Sequence, residues 1–204
     1  MWVRVPPPAL KKNMFSLTLA VLVPAYLLGS FPTAYIAGRI VCGKDIRQMG
    51  DGNMGAQNAF RLFGPYIGIT VGLIDFLKGV AVISIAQFAG MSVPIILFSG
   101  ILAVAGHNWP VFLHFRGGRG EATTIGVLLL LVTWPILIAG FISLLTLLKT
   151  KNVTLASVPL FVLLPFLGWV FHIRGIYIVY GMALPSIVAL THMSRVWRQV
   201  PHQI

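Results

Sequence analysis

Apolar residues arrive along this chain in long blocks separated by short polar clusters. The first block runs from about Leu17 to Val41 and is interrupted by Gly29-Ser30-Phe31-Pro32, a stretch that predicts a kink or local unwinding. A second runs from Tyr66 to Ala89 and carries Asp75 and Lys78 within it. The third covers Val93 to Leu113, and the fourth Ala122 to Leu148, broken by Thr133-Trp134-Pro135. The last two run from Val153 to Phe171 and from Ile176 to about Met193. A helix needs roughly 20 apolar residues to cross a bilayer core of about 30 Å, and only helices and closed barrels satisfy their backbone there. The pattern predicts an all-α integral membrane protein, a polytopic helical bundle.

The fourth block decides the number of spans. At about 1.5 Å per residue, residues 122–148 reach roughly 40 Å, ample for one tilted span and short for two. Charge favours two. If Pro135 divides a short hairpin, the loops at 42–65, 114–121 and 149–152 fall on the same side as the C-terminus. That side then holds Lys44, Arg47, Arg61, Arg116, Arg119, Lys149, Lys151, Arg195 and Arg198, while the opposite loops contribute only Arg174. About seven transmembrane helices, N-terminus out and C-terminus in, satisfy the positive-inside rule best. Residues 1–13, with Pro6, Pro7 and Pro8 in a row, read as a disordered tail ahead of Met14, where the hydrophobic run opens. Residues 14–198 form one multi-pass domain, and 199–204 a short C-terminal tail. No internal repeat of the kind that marks many transporters is present.

Composition agrees. The chain is 57% apolar and 9% charged, with mean hydropathy +0.90, a balance a water-soluble surface does not tolerate. Its 15 Lys and Arg against four acids, Asp45, Asp51, Asp75 and Glu121, give a net charge of +11. In a soluble protein that would point to nucleic acid. Here topology accounts for much of it, so membrane lipid is the expected partner and nucleic acid is not. Cys42 is the single cysteine, which excludes an intramolecular disulfide and a multi-thiolate metal site. Histidines and carboxylates are too few and scattered for a metal set, and no cofactor is expected.

Two loops between the early spans are far from generic. One reads Gly43-Lys44-Asp45-Ile46-Arg47-Gln48-Met49-Gly50-Asp51-Gly52-Asn53-Met54-Gly55-Ala56-Gln57-Asn58-Ala59-Phe60-Arg61. The other runs from Gly106-His107-Asn108-Trp109-Pro110 to His114-Phe115-Arg116-Gly117-Gly118-Arg119-Gly120-Glu121. Glycines expose backbone N–H groups and arginines supply forked donors, a combination that cradles phosphate. Both loops lie on the same predicted face. Asp75 and Lys78, at i and i+3, share a helix face and are expected to pair, or else to shape a polar site. His107 reads as a helix-end anchor or a base. Trp109, Trp134 and Trp169 read as interfacial anchors.

The residues from Leu17 to Arg198 resemble the bacterial acyl-phosphate:glycerol-3-phosphate acyltransferase family of the PlsY type. The resemblance is carried by Gly29-Ser30 with Tyr35 and Gly38, Asp45-Ile46-Arg47 with Gly50, and Gly52-Asn53-Met54-Gly55-Ala56 with Asn58 and Arg61. Asp75-Phe76-Leu77-Lys78-Gly79, Gly106-His107-Asn108-Trp109-Pro110-Val111-Phe112 and Phe115-Arg116-Gly117-Gly118 complete it. It implies a seven-helix fold in the bacterial inner membrane, with these loops on the cytoplasmic side. It also implies transfer of a fatty acyl group from acyl phosphate to the sn-1 hydroxyl of glycerol 3-phosphate, giving lysophosphatidic acid. Acyl phosphate is an activated mixed anhydride, so that chemistry needs orientation and charge stabilisation rather than an acyl-enzyme. The His-x4-Asp dyad of the other glycerophosphate acyltransferase class is absent: five positions after His107, His114 and His172 stand Phe112, Arg119 and Tyr177.

Carried over residue by residue, the resemblance places His192, Ser157, Asp51 and Asn53 at catalytic positions. Arg47, Arg61, Arg116, Gly117, Gly118, Arg119 and Gly120 fall at substrate phosphate, while Asn58, Asp75, Lys78 and His107 shape the site. Four positions depart from the family pattern: Asp51 for Ser, Gln57 for Thr, Arg119 for Lys and Arg195 for Asn. Asp51 puts a carboxylate where an anionic substrate should lie. The alternative is a catalytically impaired relative that binds or transports an organophosphate.

Overall fold

The computed structural model describes the backbone of residues 8–199 and the side chains of residues 14–191 and 193. Helices α1 (Pro8–Gly29), α2 (Thr33–Cys42), α3 (Ala56–Phe63), α4 (Pro65–Phe88) and α5 (Val93–Asn108) make up the first half. Helices α6 (Glu121–Leu131), α7 (Thr133–Thr150), α8 (Val153–Val170) and α9 (Gly175–Gln199) make up the second, and no strand occurs among the described residues. Helix α1 begins inside the stretch expected as an N-terminal tail, at Pro8, where proline's missing N–H has no helical use. Residues 1–7 and the C-terminal residues 200–204 lie outside the described residues. Five segments are long and apolar enough to cross a membrane: Met14–Cys42, Pro65–Phe88, Val93–Leu113, Thr133–Thr150 and Val153–Val170. Two shorter apolar helices, Glu121–Leu131 and Gly175–Thr191, join them.

The fourth apolar block is two helices. Val132, at φ −138° and ψ 55°, leaves helical geometry between α6 and α7, and Pro135 sits in the first turn of α7. Glu121, which opens α6, and Val153, just beyond α7, line one and the same cavity. A continuous helix over those residues would hold its ends about 45 Å apart, so the chain leaves that face and returns to it.

Helix α4 is the hub, packed against α1, α3, α5 and α6. It meets α6 through glycines on both sides: a Cβ on Gly79 would strike the Thr123 carbonyl, and one on Gly126 the Phe76 carbonyl. Such small residues let backbones touch in lipid, where the hydrophobic effect does not drive helix association. The main core joins Ile83, Val104, Val127, Leu128, Leu160 and Leu184 from α4, α5, α6, α8 and α9. Tyr180 fixes α9 to α5 by donating to the Leu97 carbonyl at 2.8 Å. Trp109, Trp134 and Trp169 are exposed at helix ends, where interfacial anchors sit.

A buried polar knot holds the first half together. Residues 30–32 are unwound between α1 and α2, which frees the Phe31 carbonyl. Lys78 Nζ donates to it at 2.5 Å and to Asp75 Oδ1 at 2.6 Å. The same carboxylate oxygen accepts from Thr33 Oγ1 at 3.0 Å and stands 3.7 Å from His107 Nδ1. Asp75 and Lys78 are 2% and 6% exposed, so removing either leaves the other buried without its counter-ion. Lys78→Met, which strands the carboxylate, is expected to cost about 3–5 kcal/mol and lower the thermal midpoint in detergent. Adding Asp75→Leu should recover much of that loss, and a double variant no more stable than Lys78→Met would refute the pairing.

Candidate functional site

Three polypeptide stretches meet at one end of the bundle. Residues 43–64, between α2 and α4, fold around Asn58, which is fully buried. Its Nδ2 donates to the carbonyls of Met49 and Asn53 at 3.1 and 3.0 Å, and its Oδ1 accepts from the Asp51 N–H at 3.3 Å. One amide side chain therefore fixes the turn that presents Asp51 and Asn53. Asp45 begins the short 3-10 turn Ile46–Gln48 and accepts from the Arg47 N–H at 3.0 Å and from Arg47 Nη2 at 2.6 Å. Arg47 Nη1 donates onward to the Leu113 carbonyl at 3.1 Å, tying this loop to the next.

Residues 109–120, between α5 and α6, lie flat on the end of α5. Gly118 N–H donates to the His107 carbonyl at 3.0 Å and Gly117 N–H to the Asn108 carbonyl at 3.2 Å. A Cβ on Gly117 would come within 2.1 Å of the His107 carbonyl oxygen, and one on Gly118 within 2.0 Å of His107 Nε2. These glycines thus serve close approach, with N–H groups bound to α5, where the sequence reading has them at substrate phosphate. Thr191 Oγ1, on α9, donates to the Arg119 carbonyl at 3.4 Å and closes the ring from the far side.

The stretches enclose a small cavity of about 200 Å³, lined by Asn53, Gln57, Asp75, His107, Arg119 and Glu121 together with apolar Ala56, Ile125 and Val153. The start of α6 faces it, so the positive end of that helix adds to the cation. Arg119 also lines a much larger groove, about 580 Å³, which runs between α8 and α9 past Ser157, Phe161, Pro165, Met182 and Pro185. Gln57, Glu121 and Val153 border both spaces, so the chamber opens into the trough between α8 and α9. Arg61 lies beside the chamber, its Nη1 3.9 Å from Asp51, while Arg119 Nη2 approaches Asp51 from the other loop at 3.7 Å. Arg119 is mostly buried, and its Nε has no hydrogen-bond partner among the described residues. A guanidinium in that state calls for an acceptor-rich anion.

The structure brings together Asn53, Asp75, His107, Arg119, Gly120 and, along the groove, Ser157. It sets Arg116 and Arg47 apart, with Asp45, Gln48 and His114, in a neighbouring cleft of about 460 Å³. His192 and Arg195 fall on α9, but their side chains lie outside the described residues. Sequence reasoning passed over Glu121, which borders both chamber and groove. The available signal was its rarity, one of four acids, directly after Gly-Gly-Arg-Gly.

Residues 19–200 match the family described as glycerol-3-phosphate acyltransferase. The chain is 50% identical over 171 residues to glycerol-3-phosphate acyltransferase 4 of Dehalococcoides mccartyi, covering 84% of this chain and 92% of that protein. It is 41% identical over 162 residues to glycerol-3-phosphate acyltransferase 2 of Moorella thermoacetica, covering 79% and 83%. Among solved structures it is similar to PlsY, an integral membrane glycerol 3-phosphate acyltransferase, in its glycerol 3-phosphate form. There the TM-score is 0.80 at 30% identity, over 89% of this chain and 90% of that one. The lysophosphatidic acid form of PlsY gives a TM-score of 0.75 at 28% identity, over the same shares of the two chains.

The loop geometry carries two expectations. Gly117→Ala must push a backbone carbonyl aside and should cost about 1–3 kcal/mol, whereas Gly175→Ala, with nothing within 4 Å, should be nearly neutral. Thermal unfolding in detergent compares them, and equal midpoints would contradict the packing. The second concerns acid. The hydrogen-bonded Arg47 guanidinium holds the Asp45 carboxyl below its ordinary value of 3.8. A depressed folded-state value gives stability that is present above the unfolded value and lost as pH falls through the folded one. The midpoint difference between the parent protein and Asp45→Asn should therefore be constant near neutrality and shrink below about pH 4. A difference that persists unchanged at still lower pH would contradict this.

Proposed function

The chain belongs to the glycerol-3-phosphate acyltransferase family, and on that premise we propose that it acylates glycerol 3-phosphate from acyl phosphate. The product is lysophosphatidic acid. The observation that carries this reading is the continuity of the two spaces. A chamber with one buried, partly unsatisfied arginine suits a phosphate headgroup, and the trough between α8 and α9 suits a fatty chain entering from lipid. Their junction, bordered by Gln57, Arg119, Glu121 and Val153, is where the acyl carbonyl has to lie.

In the reaction, the sn-1 hydroxyl oxygen of glycerol 3-phosphate attacks the acyl carbonyl carbon. The bond from that carbon to the phosphate oxygen breaks, and inorganic phosphate departs with the pair of electrons. The hydroxyl proton passes to a phosphate oxygen, so no protein base is required. Arg119 and the start of α6 stabilise charge that moves onto the leaving phosphate. Arg61 holds a substrate phosphate from the opposite loop. Asn53 and Ser157 orient the reacting groups from the two sides of the junction. His107 and Asp75, fixed by Lys78, form the chamber wall.

We place the enzyme in the bacterial cytoplasmic membrane with seven membrane segments, N-terminus out and C-terminus in, and the chamber open to the cytoplasm. The concentration of Lys and Arg in the loops around the chamber supports that orientation.

Purified protein given labelled glycerol 3-phosphate and acyl phosphate should form lysophosphatidic acid. Movement of glycerol 3-phosphate into vesicles without acylation would favour a transporter instead. Arg61→Ala and Arg119→Ala should each lower kcat/KM by roughly ten- to a hundredfold, the scale of one charge-assisted contact, with little change in thermal midpoint. Lys149→Ala and Lys151→Ala should leave activity near the parent value. Equal losses across all four would mean that these residues serve topology alone.

A further inference from the structure

Of the four acids in this chain, Asp45, Asp51 and Asp75 stand in ion pairs with arginine or lysine. Glu121 is the exception. Among the described residues its carboxyl enters no ion pair and no hydrogen bond. It is half-buried, it follows Arg119 by two positions, and it opens α6. An acid in a first helical turn suits the positive end of the helix, which accounts for the residue type. Its place is the more informative property, because Glu121 borders both the chamber and the trough, at the junction where the two spaces meet.

The surroundings of that junction limit what the carboxyl can bind. Arg61 and Arg119 lie on the chamber side and suit phosphate, which accepts hydrogen bonds and as a dianion donates none. Phe161, Val162 and Pro165 line the trough and suit an alkyl chain, which does neither. Carboxyl oxygens need N–H or O–H donors. The other carboxyl lining the chamber, Asp75, already accepts from Lys78 and Thr33. Of an acceptor such as glycerol 3-phosphate, the part that carries hydroxyl donors is the three-carbon polyol between the phosphate and the acyl carbonyl. With phosphate on the arginines and the carbonyl at the junction, those hydroxyls fall at Glu121.

We infer that Glu121 accepts a hydrogen bond from the secondary hydroxyl of the polyol, and so makes the site prefer a vicinal-diol phosphate to a phosphate that carries a single primary hydroxyl. It is a specificity-determining residue, and the inference rests on the reading of chamber and trough as the site of acyl transfer to glycerol 3-phosphate. Holding the secondary hydroxyl also removes rotations that would carry the primary one away from the acyl carbonyl. A site built to bond a substrate hydroxyl discriminates against the analogue that lacks it, because its own polar group is then left unpaired.

Calorimetric titration of the full-length protein in detergent tests this with two probes, sn-glycerol 3-phosphate and 3-hydroxypropyl phosphate, which keeps the primary hydroxyl and the phosphate and lacks the secondary hydroxyl. The parent should bind the first more tightly by roughly tenfold or more, the scale of one hydrogen bond to a carboxyl group. Glu121→Gln is nearly isosteric and keeps one acceptor oxygen, so it should retain part of that ratio. Glu121→Met, of similar length without the carboxyl, should bring the ratio close to one. Each ratio is read within one variant, so partial loss of folded protein does not alter it. In turnover, the ratio of kcat/KM for the two acceptors should fall in the same order, while KM for acyl phosphate stays near the parent value. A parental ratio in Glu121→Met would overturn the inference, and with a lowered thermal midpoint it would make Glu121 a helix-start charge alone. A parent that binds neither probe, or both equally, would also overturn it. A ratio that collapses in Glu121→Met while the parent transfers no acyl group would uphold Glu121 and overturn the proposed reaction. Acyl transfer with an unchanged ratio would do the reverse, so the two failures are distinguishable.

Discussion

Everything at the functional end of this bundle is referred to one buried ion pair. Asp75 and Lys78 lie on α4, the helix that most others touch, and each is sealed from solvent against the other. Their remaining hydrogen-bonding capacity is directed outwards. Lys78 takes the Phe31 carbonyl released where α1 gives way to α2, and Asp75 takes Thr33 at the start of α2 and approaches His107 near the end of α5. The break between α1 and α2 and the end of α5 are thereby set from a single point. The glycine loop that follows α5 then hydrogen-bonds to the His107 and Asn108 carbonyls, so the position of Arg119 is ultimately inherited from the ion pair.

Most of the fold was legible because lipid imposes simple rules. Apolar blocks of span length became helices, and the interruptions at Gly29-Ser30-Phe31-Pro32 and Thr133-Trp134-Pro135 became breaks. The Asp75–Lys78 pair was readable from spacing alone, since i and i+3 share a face. Short elements were less legible: α3 and the two 3-10 turns are set by Asn58, Asp45 and Pro110, whose individual hydrogen bonds and turn geometry leave no periodic trace. The candidate site was legible in its parts list and less so in its division of labour. Gly-Gly beside Arg reads as a phosphate cradle, yet the same glycines are also what allows a loop to press against a helix end, and spacing does not distinguish the two uses. Arg47 and Arg119 look alike in sequence. One is bound bidentately by a neighbouring carboxylate and the other retains an empty donor, a difference that only geometry reveals.

The arrangement of charge also fits the proposed handling of a substrate with two incompatible ends. A fatty chain is stable anywhere along lipid-facing apolar surface, so the trough between α8 and α9 needs shape rather than chemistry, and prolines and small residues supply it. The phosphate end is the opposite case, because an anion leaves water only for a site that replaces its hydration. A cation left unpaired near the membrane would itself be costly. Carboxylates accordingly accompany the cations: Asp45 with Arg47, Asp75 with Lys78, and Asp51 with Arg61 and Arg119.

The three pairings form a graded series. Asp75 and Lys78 are almost sealed from solvent and in direct contact, which suits a permanent structural element. Asp45 and Arg47 are also in direct contact but closer to water, and they join two loops. Asp51 is the most exposed of the three carboxylates, and its Oδ2 stands between guanidinium groups from two loops. The most deeply buried of the three, Asp75–Lys78, itself contributes to the chamber wall. A cation saturated by its own chain has nothing left to offer a ligand, so the sealed Asp75–Lys78 pair serves the wall of the chamber and not its binding capacity.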